Sequence, residues 1–338
     1  MIRVAAFTGG PTVPSSRFRV RQYIPFLLQH GLFIEEMESA AGMYPPQIKC
    51  LRPFWAARRL AELLPEVVRS HRFDVVLLQR EMLSTFMTLE PFTKKPRILD
   101  VDDAIFLQRG GGFARSLAKI SDRIICGNAY LADWFSAWHK DITIIPTAVD
   151  TDRYMSSVRE GGCGYALVIG WIGTSGNLKY VYAIEAALAR VMQVYPKAKL
   201  RIVCDRIPKF SLIDANRCEF ILWSESTEIE NIQGMDIGIM PLEDNPWARG
   251  KCSYKMLQYM SCGLPVVVSP VGMNADVLAM GSVGFGCSTQ EHWIDAFVEL
   301  LGSAKMRSEM GAAGRRVAVE SFSIHKIQLQ LAHILKGN

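Results

Sequence analysis

Lys251 and Lys255, with Arg249 just ahead of them, bracket the glycine-containing turn Arg249-Gly-Lys-Cys-Ser253. That turn opens a helix-period run in which Met256, Leu257, Tyr259 and Met260 form an apolar face, and the run stops at Gly263 with Pro265 just beyond. Pro265-Val-Val-Val-Ser269 then reads as a buried parallel strand. A helix N-terminus offers backbone N–H groups and the positive end of its dipole, and cations beside it suit an anion such as a diphosphate. A basic, solvated turn before an ordinary core helix is the other reading of the same residues. A second phosphate-sized loop is Gly173-Thr174-Ser175-Gly176-Asn177, whose small hydroxyl-bearing residues donate through backbone and side chain.

Three carboxylates crowd the end of the predicted strand Arg97–Val101: Asp100, Asp102 and Asp103. They repel one another, so a cation, sugar hydroxyls or arginines must compensate them. The strand Asp74–Gln79 ends in Gln79-Arg80-Glu81, polar residues at the strand C-terminus where open α/β sheets place ligands. After the first strand, Arg3–Phe7, the turn Thr8-Gly9-Gly10-Pro11 permits close backbone approach, or is a plain tight turn. Arg17, Arg19 and Arg21 alternate just beyond it and suggest a ligand- or phosphate-facing surface.

Strands and helices alternate along the whole chain, which is long for one domain at 338 residues and comfortable for two. Helical patterns cover Val20–Leu28, Trp55–Ser70, Asn128–Trp138 and Leu178–Val194, then three further segments after residue 290. Arg52, Arg58 and Arg59, with Phe54 and Trp55, give the second of these a basic edge that rests on anionic lipid or, in the plainer reading, covers the sheet. Ser156–Gly164 is polar and aperiodic and reads as a linker. Hydrophobic residues at 49% and charged residues at 21% describe an ordered globular chain. The eight cysteines show no CxxC pair and the six histidines are dispersed, so reduced buried thiols in a cytosolic protein are expected and no metal site. No apolar run reaches membrane-spanning length. The net charge of +5 falls wholly within residues 1–146, which fits an anionic acceptor or lipid surface there and is too weak for nucleic acid.

LQYMSCGLPVVVSPVG, within the basic-turn segment, resembles the string that usually reads LEAMACGLPVVAS in GT-B glycosyltransferases of the family 4 type. The resemblance extends to Pro146-Thr-Ala-Val-Asp150, similar to the family's crossover between domains, and to Pro241-Leu242, similar to its strand end under the nucleotide base. It implies two Rossmann-like domains facing across a cleft: residues 1–150 for the acceptor, 151–322 for the nucleotide-sugar donor, and a tail, 323–338, packing back on the first. It implies retaining transfer of a sugar from a UDP- or GDP-sugar, without cofactor or metal, to a glycan or lipid-linked acceptor. Family habit adds cell-surface polysaccharide or lipopolysaccharide synthesis in the cytoplasm, at the inner face of a membrane.

On the resemblance together with the residues' own chemistry, Gly173, Thr174, Ser175, Lys179 (only roughly placed for the family's lysine), Lys251, Ser253 and Lys255 are assigned to the donor phosphates and Gln258 to the ribose. Asp102 and Asp103 fall to the catalytic centre, and Gly9, Gly10, Arg17 and Arg80 to the acceptor and sugar. The chain departs from the family at four places. Asp102 stands where a histidine is usual, leaving it an acceptor base, a hydroxyl ligand or a helix cap; Trp171 replaces an arginine. The family's paired glutamates fall on Gly250 and Gln258, as in a branch reading GKCSxKLLQYM. The rivals are a GT-B sugar-nucleotide epimerase, working without acceptor, and a non-catalytic nucleotide-sugar or glycan-binding subunit. A Rossmann dehydrogenase lacks its third glycine here.

Overall fold

The computed structural model describes residues 1–156 and 166–337, so nearly all of the expected linker lies outside the described residues. The chain divides into two compact units. The first comprises residues 1–148, 249–252 and 324–338, and the second 149–248 and 253–323.

The first unit is built on a six-stranded sheet: β1 (Ile2–Phe7), β2 (Leu32–Met37), β3 (Val75–Gln79), β4 (Arg97–Val101), β5 (Arg123–Cys126) and β6 (Ile142–Ile144). All pairs are parallel, in the order β2-β1-β3-β4-β5-β6. β3 and β4 are buried at every position, being covered on both faces, although β4 carries Arg97 and Asp100. Register aligns Phe7 with Leu78, Gln79 with Asp100 and Val101 with Cys126. The residues after these strands (Thr8, Arg80, Asp102, Gly127) therefore line one edge of the sheet.

The helix expected over Val20–Leu28 is instead α1 (Pro14–Arg19), a 3-10 turn (Arg21–Tyr23) and α2 (Ile24–Gln29). Prolines explain the breaks: Pro14 and Pro25 each sit in a first helical turn, where a missing N–H costs nothing. Because α1 is helical, Arg17 and Arg19, two apart, diverge by about 200°, and Arg21 lies beyond the helix in the 3-10 turn, so the three arginines do not form one face. Arg19 is buried, Arg21 pairs with Glu36, and Arg17 lies over the Phe18 ring.

α3 (Arg52–Arg69) covers the sheet through Arg59, Leu63 and Val67. Its opposite side leaves Phe54, Leu64 and Val68 at 74%, 52% and 66% exposure. Arg59, read in the sequence as part of a basic edge, is instead buried and donates to the Met82 and Gly42 carbonyls. α4 (Gly112–Ile120) and α5 (Ala129–Ser136) complete this stretch. No helix among the described residues is long and apolar enough to cross a membrane.

The second unit repeats the plan with β7 (Val168–Ile172), β8 (Lys199–Cys204), β9 (Cys218–Leu222), β10 (Ile237–Met240), β11 (Val266–Val268) and β12 (Gly284–Gly286). The parallel order is β12-β11-β10-β7-β8-β9. Its helices are α6 (Leu178–Tyr182), α7 (Glu185–Val194), α8 (Glu228–Gln233), α9 (Pro246–Arg249, whose last residue falls in the first unit), α10 (Tyr254–Ser261), α11 (Met273–Leu278), α12 (Gln290–Gly302) and α13 (Ala304–Phe322). The single helix expected over Leu178–Val194 is thus two, parted at Ala183-Ile184. The last helix, α14 (Ile324–Leu335), buries Ile324, Ile327, Leu331 and Leu335 in the core of the first unit beside Val4, Val20 and Leu27.

Candidate functional site

In the second unit, chain order turns from β7 towards β8 on one side and leaves β10 on the other, so β7 and β10 flank the switch point where open sheets bind ligands. α10 is docked there by Tyr259. Its hydroxyl accepts from the Ile172 N–H at 3.0 Å, at the end of β7. Gly238 makes the approach possible, because a Cβ on it would stand 2.3 Å from the Tyr259 ring.

The same docking carries Lys255 to the loop after β7. A Cβ on Gly173 would lie 2.7 Å from the Lys255 Cε and 2.7 Å from the Trp171 ring, so the lysine stem runs directly over the glycine. Trp171, at the position where the family has an arginine, is a 2%-exposed core residue and brings no charge. Thr174 is exposed and accepts from the Asn177 amide at 3.0 Å. Ser175 gives its N–H to Asp205 at 2.6 Å and its hydroxyl to Asp205 at 2.8 Å. Burial pushes the Asp205 carboxyl up, but these two bonds outweigh it and hold it below the usual range. Ser175 therefore has no donor to spare while Asp205 holds it. Lys179 is exposed, over the Tyr180 ring. Ser253 sits in the left-handed region at φ 50° and makes no side-chain cap on α10. Gln258 is 3% exposed and donates its amide to the Tyr154 hydroxyl at 2.9 Å and to Glu228 at 3.0 Å.

In the first unit the three crowded carboxylates are compensated by arginines. Arg19 forks onto Asp100 at 3.0 and 2.5 Å, both side chains almost fully buried. Arg80, held at φ 63°, bonds Asp102 at 2.6 Å and Asp103 at 2.5 Å, with Ser15 at 2.8 Å. Burial pushes both carboxyls up. At Asp102 the charge and hydrogen bond of Arg80 win and the pKa falls below the usual value; at Asp103 burial and the Asp102 charge win over Arg80 and Lys251, and it rises. Gly9 and Gly10 have their N–H groups taken by Ser16 and Thr8 at 3.0 and 3.3 Å. At the recess lined by Thr8, Arg59, Gln79 and Glu81, the buried Gln79 Nε2 and Glu81 Oε2 have no partner among the described residues.

Residues 249–252 belong to this unit, fastened by Asn128. Its oxygen caps α5 through the Leu131 N–H at 2.9 Å, and its amide donates to the Lys251 and Arg249 carbonyls at 3.1 and 3.3 Å. Gly250, where the family's first glutamate falls, lies against Ala104: a Cβ there would stand 2.9 Å from the Ala104 nitrogen. The structure thus gathers Gly173, Thr174, Ser175, Lys255 and Gln258 in the second unit, and Arg80, Asp102, Asp103 and Lys251 in the first.

Removing Arg80 has a pH signature. In Arg80→Leu two partly buried carboxylates lose their shared cation, so their folded-state pKa values rise above the unfolded ones. The folded state then binds the extra protons, and its stability falls as pH rises through that window. Wild-type Asp102 behaves oppositely: its depressed pKa contributes stability above the unfolded value that is lost in acid. The variant is expected to melt well below wild type at neutral pH and to converge on it towards about pH 4. A melting difference that does not change with pH sinks this reading.

Sequence reasoning missed Asp205, Tyr154 and Glu228. Each meets the site from a distant loop or helix, and no spacing within the sequence signals them. Asn128 was visible as a helix cap, but its grip on residues 249–251 was not.

Residues 166–303 match the family model described as glycosyl transferases group 1. No curated protein sequence matches the chain. Among solved structures, sucrose-phosphate synthase from Thermosynechococcus elongatus aligns with TM-score 0.77 at 14% identity, over 100% of this chain and 99% of the other. Anabaena HepE in complex with UDP and glucose aligns at 0.71 and 15%, over 100% of both chains. WaaG, a glycosyltransferase involved in lipopolysaccharide biosynthesis, aligns at 0.70 and 13%, over 99% of this chain and 100% of that one. The arrangement of two parallel six-stranded sheets is that of the GT-B fold.

Proposed function

We propose that this chain, whose residues 166–303 match the group 1 glycosyl transferase model and whose fold is GT-B, moves a hexosyl unit from a UDP- or GDP-sugar to a hydroxyl of a glycan or lipid-linked acceptor, with retention at the anomeric carbon. The observation that carries the reading is the seating of Lys255 over Gly173 at the β7/β10 switch point. An ammonium beside a glycine loop and a helix N-terminus stabilises a departing diphosphate electrostatically. The second unit holds the donor and the first, with Arg80, Asp102 and Asp103, the acceptor. Asp102, kept ionised beside Arg80, acts there as a hydroxyl ligand or base. Neighbours of the fold that bind UDP or UDP-glucose, and one involved in lipopolysaccharide synthesis, support a role in cell-surface polysaccharide assembly.

Calorimetric titration with UDP, GDP and ADP tests the donor half: one should bind in the micromolar range. Incubating its sugar derivatives with and without glycan acceptors tests the rest. Interconversion of the sugar without acceptor selects the epimerase instead, and no binding by any nucleotide selects the non-catalytic subunit.

The exposed face of α3 adds a location. Phe54, Ala57, Ala61, Leu64 and Val68 recur at helical spacing on the exposed side, flanked by exposed Arg52 and Arg58. Such a stripe suits the headgroup region of an anionic membrane, at its cytoplasmic face. Wild type should sediment with vesicles containing phosphatidylglycerol. Phe54→Ser/Leu64→Ser/Val68→Ser should bind them roughly tenfold or more weakly, since each side chain contributes about 1.5–3 kcal/mol when buried. Wild type that stays in the supernatant ends the membrane assignment.

A further inference from the structure

Gln258 occupies a place where its amide has no freedom. Glu228 approaches it from α8, with Oε1 3.0 Å from the Gln258 Nε2. The Tyr154 hydroxyl donates to that same carboxylate oxygen and accepts from the Gln258 amide at 2.9 Å. The other Glu228 oxygen takes the Trp223 indole N–H at 2.7 Å. Glu228 and Gln258 are each 3% exposed. An ionised carboxylate only accepts, so the Gln258 nitrogen must face it, and turning the amide over would set oxygen against oxygen. Both amide hydrogens are thereby spent, and the Gln258 Oε1 is left as an acceptor with no donor among the described residues.

That oxygen is one helical turn from Lys255. Residues three apart on a helix share a face, about 5 Å from one another, which is the spacing from a diphosphate to the sugar that carries it. We propose that Glu228 is a positioning residue: it holds the Gln258 amide in one orientation, so that Gln258 serves as a pure acceptor for a ribose hydroxyl of the bound nucleotide. The negative charge next to this contact is supplied from α8 and not from α10. The proposal rests on the donor reading above and adds to it the residue that sets hydroxyl recognition.

A charge exchange tests it. Gln258→Glu alone puts two carboxylates about 3 Å apart in a buried site, so one must hold a proton. Its melting temperature should fall as pH rises from 5 to 8, more steeply than that of wild type. Glu228→Gln alone frees the Gln258 amide to turn. The double variant Gln258→Glu/Glu228→Gln restores one carboxylate and one amide in exchanged places. The second readout is binding of the tighter of UDP and GDP against its 2′,3′-dideoxy form. Wild type should prefer the ribonucleotide by roughly tenfold, the value of a hydroxyl whose loss leaves a buried acceptor unpaired. Glu228→Gln should lose most of that preference while still folding, and the double variant should regain both the preference and the wild-type pH profile. A Gln258→Glu protein that matches wild type at pH 8, or a Glu228→Gln protein with its ribose preference intact, overturns the proposal. If wild type binds neither diphosphate, the donor reading falls and takes the hydroxyl contact with it; the melting profiles still decide whether the two side chains are coupled.

Discussion

Arg19→Leu is expected to destabilise the first unit by about 3–5 kcal/mol, the range found when one partner of a buried ion pair is removed. The guanidinium is 4% exposed and every arm is committed. Nε and Nη2 fork onto Asp100, while Nη1 reaches the Ile145 carbonyl at 2.8 Å and the Thr147 hydroxyl at 3.3 Å. Burial alone would lower the Arg19 pKa, yet the Asp100 charge and hydrogen bond raise it, while at Asp100 burial outweighs the pull of Arg19 and pushes the carboxyl up. Leucine leaves Asp100, 3% exposed on β4, facing an apolar core without a counter-charge. Arg19→Lys should recover only part of the loss, because a point charge cannot reproduce the planar fork. Arg19→Leu/Asp100→Leu should recover most of it, because the cost lies in the stranded charge and not in the missing bond. Chemical denaturation of the three proteins decides the matter. A single variant within about 1 kcal/mol of wild type means that Asp100 finds another partner or water, and that the buried pair does not hold the unit together.

The allocation of these arginines shows what was readable beforehand and what was not. Short runs of consecutive apolar residues, as in β3 and β11, marked strands buried on both faces. The need to compensate three carboxylates within four residues was also legible, because their repulsion is local. Which cations answer it was not: Arg19 and Arg80 lie 81 and 22 residues from the oxygens they meet. Reading Arg17, Arg19 and Arg21 as one face assumed an extended segment, and Pro14 made it a helix. At the candidate site, the glycines announced close approaches but not their partners. Gly173 makes room for Lys255, Gly238 for Tyr259 and Gly250 for Ala104, each pairing set by packing between distant segments. Ser175 carried the right chemistry for a phosphate, yet Asp205, 30 residues on, takes both its donors. A side chain's type is local information, and its vacancy for a ligand is not.

The seat of Lys255 over Gly173 is what the proposed donor site rests on, and it can be tested directly. Lys255→Ala should weaken binding of the nucleoside diphosphate by about 10- to 100-fold, the worth of one charge-assisted hydrogen bond of roughly 1.5–3 kcal/mol. The loss in kcat/KM for sugar transfer should be larger than the loss in affinity, because negative charge grows on the diphosphate as the glycosidic bond breaks. Lys255→Ala that binds the diphosphate within twofold of wild type removes the lysine from the site. Gly173→Val supplies the geometric half of the test without changing any charge. Its side chain must occupy the space that Lys255 Cε and the buried Trp171 ring now share, each 2.7 Å from the position of a Cβ, so its melting temperature is measured beside its affinity. The ammonium is then pushed off the loop while α10, fastened through Tyr259 to Ile172, stays in place. Gly173→Val should therefore lose affinity to about the same degree as Lys255→Ala. Because both changes remove one interaction, the double variant should lose little more than either alone, and a fully additive loss would mean that Gly173 and Lys255 meet the phosphates separately.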